Sequence, residues 1–211
     1  MMIKAIIFDL GGVIIDLGFE RMTKRFEELG IEDFGQYFTP KSQVDFFEDL
    51  ELGLIESEEL YDKFRQHTDS ELTNAVIEET WNLILKDFNK QRMALLTELS
   101  ATYPLYLFSN TNAIHAKCFE KRCLEQTGHH LEHYFTTLYY SHELHLRKPT
   151  VESFKKVLDQ ANLTADETLF IDDNEENIKG ARKAGLKTYH LQTPEQLTDI
   201  DFTELLSKYN N

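Results

Sequence analysis

The chain has 211 residues, of which 41% are hydrophobic, so it can bury a full core and hold one domain with a sizeable insertion. Its formal net charge of −15 argues against nucleic acid or an anionic membrane as partner, because either polyanion would be repelled. For the same reason, an anionic substrate would need a local cation at its binding site.

The first predicted strand covers residues 3–8 and is followed by an aspartate. Asp9 stands directly before a turn that contains Gly11 and Gly12. In an open α/β sheet the carboxyl ends of the strands face the ligand crevice, and glycine lets the backbone approach a ligand closely. The pattern therefore indicates a nucleophile at Asp9, although an aspartate that only caps a turn would give the same local sequence.

Residues 16–87 carry helical patterns and lack a convincing strand. A first amphipathic helix begins near Phe19 and ends at Gly30, and a second helix is predicted over residues 42–52, with Val44 on its apolar face. Further apolar positions at helical spacing are Leu60, Phe64, Val76, Ile77, Trp81, Ile84 and Leu85. We predict an all-helical insert over residues 16–87 and assign the core to residues 1–15 and 88–211.

From residue 90 onward, strands and helices alternate. The predicted strands are 105–108, 135–140, 168–171 and 187–191, and the predicted helices are 90–100, one from about 113, 150–161, one ending at Gly185, and 202–209. Together with the first strand, this alternation predicts an α/β fold with a Rossmann-like, doubly wound, parallel five-stranded sheet.

Polar residues follow two of these strands in positions suited to an anion. Ser109 and Asn110 come at the mouth of a predicted helix, where hydroxyl and amide groups can bind phosphate oxygens. Ser109 or Thr111 could instead be a simple helix N-cap. Lys148 precedes Pro149 and so lies in an extended segment, from which it could reach inward or remain a solvated loop cation.

The fourth strand of the predicted sheet ends in two adjacent carboxylates, Asp172 and Asp173. Neighbouring carboxylates repel each other unless a cation or a helix N-terminus compensates their charge. Helix capping accounts for one of them, whereas a hard divalent metal accounts for both.

These strand ends, taken in order, resemble the haloacid dehalogenase superfamily of aspartate-nucleophile phosphatases. The four motifs are residues 8–13, Ser109-Asn110, Lys148-Pro149 and Asp172-Asp173, and the resemblance covers nearly the whole chain. About 100 residues separate Asp9 from Ser109, which leaves room for the helical cap that some family members carry after the first motif. Segments 109–112, 147–149 and 170–181 look most like a bacterial subgroup that includes a glucose-1-phosphate phosphatase.

The resemblance implies a role for each motif residue. Asp9 would attack phosphorus and form an aspartyl-phosphate, with Ser109 and Lys148 as the other catalytic residues. The implied phosphate-binding residues are Ser109, Asn110, Arg147 and Lys148. The implied Mg²⁺ ligands are Asp9, Asp173 and the backbone carbonyl of Gly11, with Asp172 binding through water or orienting its neighbours.

Gly11 departs from the family pattern. Most phosphatases of the superfamily have a second aspartate at this position, which acts as general acid and base. A positioned acid or base typically contributes ~10²–10⁴-fold to the rate. The absence of this aspartate implies that activity is low, that another group donates the proton, or that the substrates have good leaving groups. A sugar 1-phosphate is then a better candidate than an alkyl phosphate, and a phosphomutase is disfavoured.

Three further groups carry weaker signals. His115 is a candidate substitute acid, although we expect it on the surface of a helix. The aromatic residues Phe46, Phe47 and Trp81 could form a substrate lid or belong to the core. The cluster of His129, His130, His133 and Glu132 could be a metal site or a solvated segment.

Three function classes stay open. The favoured one is a Mg²⁺-dependent phosphatase acting on a small phosphorylated metabolite, with neither nucleic acid nor membrane as partner. The alternatives are a metal-free 2-haloacid dehalogenase, which likewise lacks an aspartate at Gly11, and a weakly active or non-catalytic metabolite-binding protein. Only two cysteines, Cys118 and Cys123, and the lack of a secretory or membrane-spanning apolar run predict a cytoplasmic location.

Overall fold

The computed structural model describes residues 2–36 and 45–209. The strands, numbered in chain order, are β1 (Ala5–Phe8), β2 (Ile15–Leu17), β3 (Leu85–Phe88), β4 (Leu105–Ser109), β5 (Thr137–Tyr140), β6 (Thr168–Asp172) and β7 (Lys187–His190). The α-helices are α1 (Phe19–Glu28), α2 (Asp45–Glu51), α3 (Ser57–Thr68), α4 (Asn74–Trp81), α5 (Lys90–Ser100), α6 (Ala113–Thr127), α7 (Ser141–Leu144), α8 (Val151–Ala161), α9 (Glu175–Lys183) and α10 (Phe202–Tyr209).

The predicted five-stranded parallel sheet is confirmed, with the order β5-β4-β1-β6-β7. Both of its faces are covered. Successive side chains of a strand point to opposite faces, and in β1 they do so into two separate apolar clusters. Ile6 and Phe8 belong to one cluster, whereas Ala5 and Ile7 belong to the other. This double burial explains why β1 reads as a continuous apolar run.

The direction of winding reverses at the central strand. The chain adds β4 and β5 on one side of β1 and then crosses to add β6 and β7 on the other side. Ligands of doubly wound sheets bind outside the carboxyl ends of the strands at such a reversal. The carboxyl ends of β1 and β6 therefore define the crevice where the site is expected, and Asp9 and Asp172 lie there.

Helices α1 to α4 lie within the predicted insert, and two strands that the sequence patterns did not predict, β2 and β3, lie at its two ends. β2 pairs antiparallel with β3, with Ile15 opposite Phe88 and Leu17 opposite Leu85. The prediction of a helix reaching Leu85 was wrong, because α4 ends at Trp81 and a 3-10 turn follows before the strand. Both strands are short and contain charged residues, so neither shows the continuous apolar run that marks β1. Residues 42–44 of the predicted second helix, including Val44, lie outside the described residues.

The remaining predicted helices are found within a few residues of their expected bounds. Within residues 2–36 and 45–209, the helices are too short or too polar to cross a bilayer.

Candidate active site

Asp9 lies at the carboxyl end of the central strand, where its carboxylate contacts a buried lysine. Its backbone N–H donates to the carbonyl of Ile171 at 2.9 Å, which ties it to β6. Lys148 is 1% exposed, and its Nζ donates to Oδ1 of Asp9 at 2.6 Å and to Oδ2 of Asp172 at 2.8 Å. One ammonium group thus bridges carboxylates from two neighbouring strands.

The position of Lys148 is fixed by its surroundings. Its Nζ lies 5.3 Å from the ring centroids of both Phe108 and Phe170, an arrangement that favours a cation. The Asn110 side chain binds the Lys148 backbone on both sides, accepting from its N–H and donating to its carbonyl, each at 2.9 Å. Asn110, which the resemblance assigned to phosphate, therefore uses its side-chain amide to hold the lysine.

Asp172 is fully buried and is surrounded by donors. Oδ1 accepts from the backbone N–H of Asn174 at 2.8 Å, and the Asn177 side chain donates to Oδ1 at 3.1 Å and to Oδ2 at 3.0 Å. Because Lys148 also donates to Oδ2, both carboxylate oxygens of Asp172 have protein partners. This is expected for a residue that orients its neighbours. Sequence reasoning assigned no role to Asn177. The available signal was its spacing, because Asn174 is the N-cap of α9 and Asn177 follows it by one turn.

Asp173 approaches the glycine turn that follows β1. A Cβ placed on Gly12 would lie 2.2 Å from Oδ2 of Asp173, and Gly12 has a φ of +77°. Only glycine fits both conditions. Asp9, Asp172 and Asp173 each offer an oxygen, and these oxygens lie within 4.8 Å of one another.

The charges of this cluster do not balance, since three carboxylates surround one ammonium. Burial, helped by the charges of Asp172 and Asp173, outweighs the lowering effect of Lys148 and raises the pKa of Asp9 to about 7. Burial, followed by the charge of Asp172, raises the pKa of Asp173 to about 6. Burial alone would lower the pKa of Lys148, but Asp172 and Asp9 outweigh it and the pKa lies above its usual value. This donor set fits a divalent cation, which would neutralise the excess negative charge.

Ser109 ends β4 and is buried, but it does not cap the following helix. The N-cap of α6 is Asn112, whose side chain accepts from the backbone N–H of His115 at 3.0 Å. Thr111 is held elsewhere, because its backbone N–H donates to Oγ of Ser141 at 2.9 Å. The N-cap alternative for Ser109 and Thr111 was therefore wrong.

The space beside Gly11 is apolar. A Cβ on Gly11 would lie 3.0 Å from Cδ1 of Leu17, a side chain of β2. The φ of Gly11 is outside the left-handed region, in contrast to that of Gly12. Where most family phosphatases carry an acid/base aspartate, this chain packs a leucine.

His115 is not on the surface, contrary to the expectation from sequence. It is buried, and its ring lies 4.5 Å from that of Trp81 in the insert. Burial lowers its pKa to about 3, so the ring is neutral near pH 7 and is a poor proton donor.

The other weak candidates are located as follows. Phe46, Phe47 and Trp81 are buried and pack together, with centroid distances of 4.5 Å and 5.1 Å, so they form core of the insert. The exposed residues His129, His130 and His133 are not part of any metal-like cluster in the described residues. Arg147, which the resemblance assigned to phosphate, pairs instead with two glutamates of α2, Glu48 at 3.2 Å and Glu51 at 2.9 Å.

Comparison with known proteins identifies relatives that cover most of this chain. The D-ribitol-5-phosphate phosphatase of Bacteroides thetaiotaomicron is 29% identical over 188 residues, which cover 89% of this chain and 91% of that protein. A crystal structure of a HAD family enzyme from the same organism, an aspartate-to-alanine variant in complex with magnesium and inorganic phosphate, is 34% identical. It has a TM-score of 0.89, with 96% of this chain and 98% of that chain covered.

A more distant match shares the fold alone. An L-2-haloacid dehalogenase structure is 17% identical with a TM-score of 0.65, and both chains are fully covered. The family model for haloacid dehalogenase-like hydrolases matches residues 3–185. With this match over most of its length, the chain belongs to the haloacid dehalogenase-like hydrolase family.

Proposed function

We propose that this protein is a Mg²⁺-dependent cytoplasmic phosphatase that hydrolyses a small sugar or polyol phosphate through an aspartyl-phosphate. The observation that carries the proposal is the buried Lys148, which bridges Asp9 and Asp172 beside Asp173 at the reversal of the sheet. A structural ion pair would need only one carboxylate to balance the lysine. Three carboxylates around one ammonium instead favour a site that recruits further positive charge.

In this proposal Asp9 is the nucleophile. Lys148 holds Oδ1 at 2.6 Å, which orients the carboxylate and favours its ionised form against the effect of burial. The carboxylate attacks phosphorus, the alcohol leaves, and water then hydrolyses the aspartyl-phosphate. The Lys148 ammonium would neutralise charge that develops between the nucleophile and the phosphoryl oxygens, and the Ser109 hydroxyl would donate to one of those oxygens.

Asp9, Asp173 and the backbone carbonyl of Gly11 would hold the Mg²⁺ ion. When bound, the ion neutralises the carboxylates and the phosphoryl oxygens. Asp172 contributes by position, since Asn174 and Asn177 hold it against Lys148. The magnesium and phosphate complex of the related Bacteroides enzyme supports this assignment.

The leaving group is the least determined part of the substrate. Gly11 and Leu17 leave the site without the usual acid, which favours anomeric or acyl phosphates. The related D-ribitol-5-phosphate phosphatase has a substrate whose phosphate is on a primary alcohol, a poor leaving group. Both chemistries therefore belong in the substrate test.

The test is phosphate release from a panel of sugar 1-phosphates, pentitol 5-phosphates and an acyl phosphate. We expect release with Mg²⁺, its loss in excess chelator, and its loss in Asp9→Asn. Asp62→Asn removes an exposed carboxylate of α3 and should change nothing. Full activity in excess chelator would refute the metal assignment, and chloride release from a 2-haloacid under those conditions would favour the dehalogenase.

A further inference from the structure

One end of the insert rests on the core segment that leads into Lys148. Two ion pairs make this contact, in which Arg147 Nη1 lies 3.2 Å from Oε2 of Glu48 and Nη2 lies 2.9 Å from Oε2 of Glu51. The Arg147 and Glu51 side chains are only 25% and 14% exposed. Water and salt therefore screen this pair less than a typical surface ion pair.

Two further contacts join the same segments. The His145 ring lies with Nδ1 2.8 Å from the carbonyl of Leu52, just beyond the end of α2. Gly53 has a φ of +64°, and a Cβ there would lie 2.1 Å from the carbonyl oxygen of His142. The backbones of the two segments are therefore packed so closely that a side chain at Gly53 does not fit.

The core segment of this contact continues directly into the catalytic cation. Arg147 precedes Lys148, whose backbone is held by Asn110 and whose ammonium binds Asp9 and Asp172. A movement of the insert that displaces Arg147 would therefore also displace the backbone of Lys148, or weaken the contacts that fix it. A second ion pair between insert and core, Asp16 with Arg92 at 2.8 Å, lies at the start of the insert, whereas pairs such as that of Arg25 with Glu28 stay within one helix.

We propose that Arg147 is a positioning residue that, through Glu48 and Glu51, holds the insert against the core as a latch and couples this contact to the placement of Lys148. On the insert side, the latch consists of the ion pairs of Glu48 and Glu51 with Arg147. On the core side, the peptide bond between Arg147 and Lys148 transmits the effect. The kinetic part of this inference rests on the proposed phosphatase function, whereas its structural part does not.

The structural test measures hydrogen exchange of the Lys148 amide by NMR. This N–H donates to Asn110 Oδ1 at 2.9 Å, so its protection reports the placement of Lys148. The change is made on the insert, in Glu48→Gln/Glu51→Gln, far along the chain from the amide observed. We expect roughly tenfold faster exchange, in the range of typical coupling between sites. The control Arg25→Gln removes a charge from α1 and should leave this amide unchanged.

The kinetic test is a cycle of Arg147→Gln, the Glu48→Gln/Glu51→Gln pair, and all three changes together. We expect Arg147→Gln to lower kcat/KM about tenfold and the Glu48→Gln/Glu51→Gln pair to do the same. All three changes together should cause no further loss. The exchanged pair Arg147→Glu/Glu51→Arg should recover most of the loss. If Arg147→Gln fails to fold, the two insert-side changes and the exchanged pair still decide the question.

The two proposals fail in different ways. Unchanged exchange at Lys148 in the insert-side variant, or additive losses in the cycle, would overturn the latch even in an active phosphatase. If the wild-type protein had no phosphatase activity, the proposed function would be overturned. Faster exchange of the Lys148 amide in Glu48→Gln/Glu51→Gln would still support the latch.

Discussion

Gly11→Asp should add a proton donor at the position of the usual acid, and more effectively if Leu17 is also reduced in size. Gly11 does not have the left-handed φ that would strain a side chain at this position. Its Cβ, however, would lie 3.0 Å from Cδ1 and 3.3 Å from Cδ2 of Leu17. These are the ends of a movable side chain, so the single variant should fold with a strain of about 1–3 kcal/mol.

The expected gain depends on the leaving group. In Gly11→Asp/Leu17→Ala the new carboxylate has room, and a positioned acid contributes up to roughly 10²-fold for substrates that need protonation. We therefore expect faster hydrolysis of pentitol 5-phosphates and little change for acyl phosphates. In Gly11→Asp alone the gain should be smaller, because Leu17 crowds the carboxylate.

The assay is kcat/KM across phosphate esters of graded leaving-group acidity, for wild type, both variants and Leu17→Ala. The dependence on leaving-group acidity should be steep in the wild type and flatter in the double variant. Melting curves establish that each variant folds. A folded double variant with the wild-type dependence would refute the reasoning and show that another group already supplies the proton.

Four further predictions follow from the site and its surroundings. His115 has a pKa of about 3 in the fold against 6.5 in the unfolded chain, so the unfolded chain binds more protons and stability falls as the pH drops from 6.5 towards 3. The free energy of unfolding should fall by about 2 kcal/mol between pH 8 and pH 5 because of His115. Denaturant titrations of His115→Phe should lack this contribution. Mg²⁺ at about 100 times its Kd should stabilise the fold by about 2.7 kcal/mol in melting experiments. The gain should shrink at pH 5, where Asp9 and Asp173 are protonated, and vanish in Asp173→Asn. Phe47→Ala should cost about 3–5 kcal/mol in denaturant titrations and lower activity equally on a sugar phosphate and a small artificial ester, because Phe47 is buried packing; a loss on the sugar phosphate alone would make it a pocket residue. Asn177→Leu should lower kcat about 10–100-fold without matching loss of stability, since it removes donors from Asp172; an unchanged kcat would contradict its orienting role.

The sheet was predictable from sequence because its strands are buried on both faces. Continuous apolar runs such as 105–108 and 168–171 have no other simple explanation in an alternating chain. The strand ends then followed, and with them the grouping of Asp9, Lys148 and Asp172. β2 and β3 were missed because they are short and mix apolar with charged residues, so they show neither a continuous apolar run nor a clear alternation.

The parts of the site that depend on contacts between distant segments were not predictable. Arg147 has the sequence context of a phosphate ligand, yet its partners lie about 100 residues earlier in α2. His115 was expected on the surface of a helix, but it is buried and its ring lies against that of Trp81 from the insert. Side-chain amides posed the same problem, since Asn110 and Asn177 each had several possible partners and only the packed fold selects one.

The central claim, that Asp9 is the nucleophile of a phosphatase, is tested most directly by trapping the intermediate. Wild-type protein with Mg²⁺ and a ³²P-labelled substrate from the panel is quenched in acid during turnover, and the labelled peptide is identified by mass spectrometry. We predict a hydroxylamine-sensitive label on the peptide that contains Asp9, with no label in Asp9→Asn. Label on another residue, or turnover that persists in Asp9→Asn, would contradict the account.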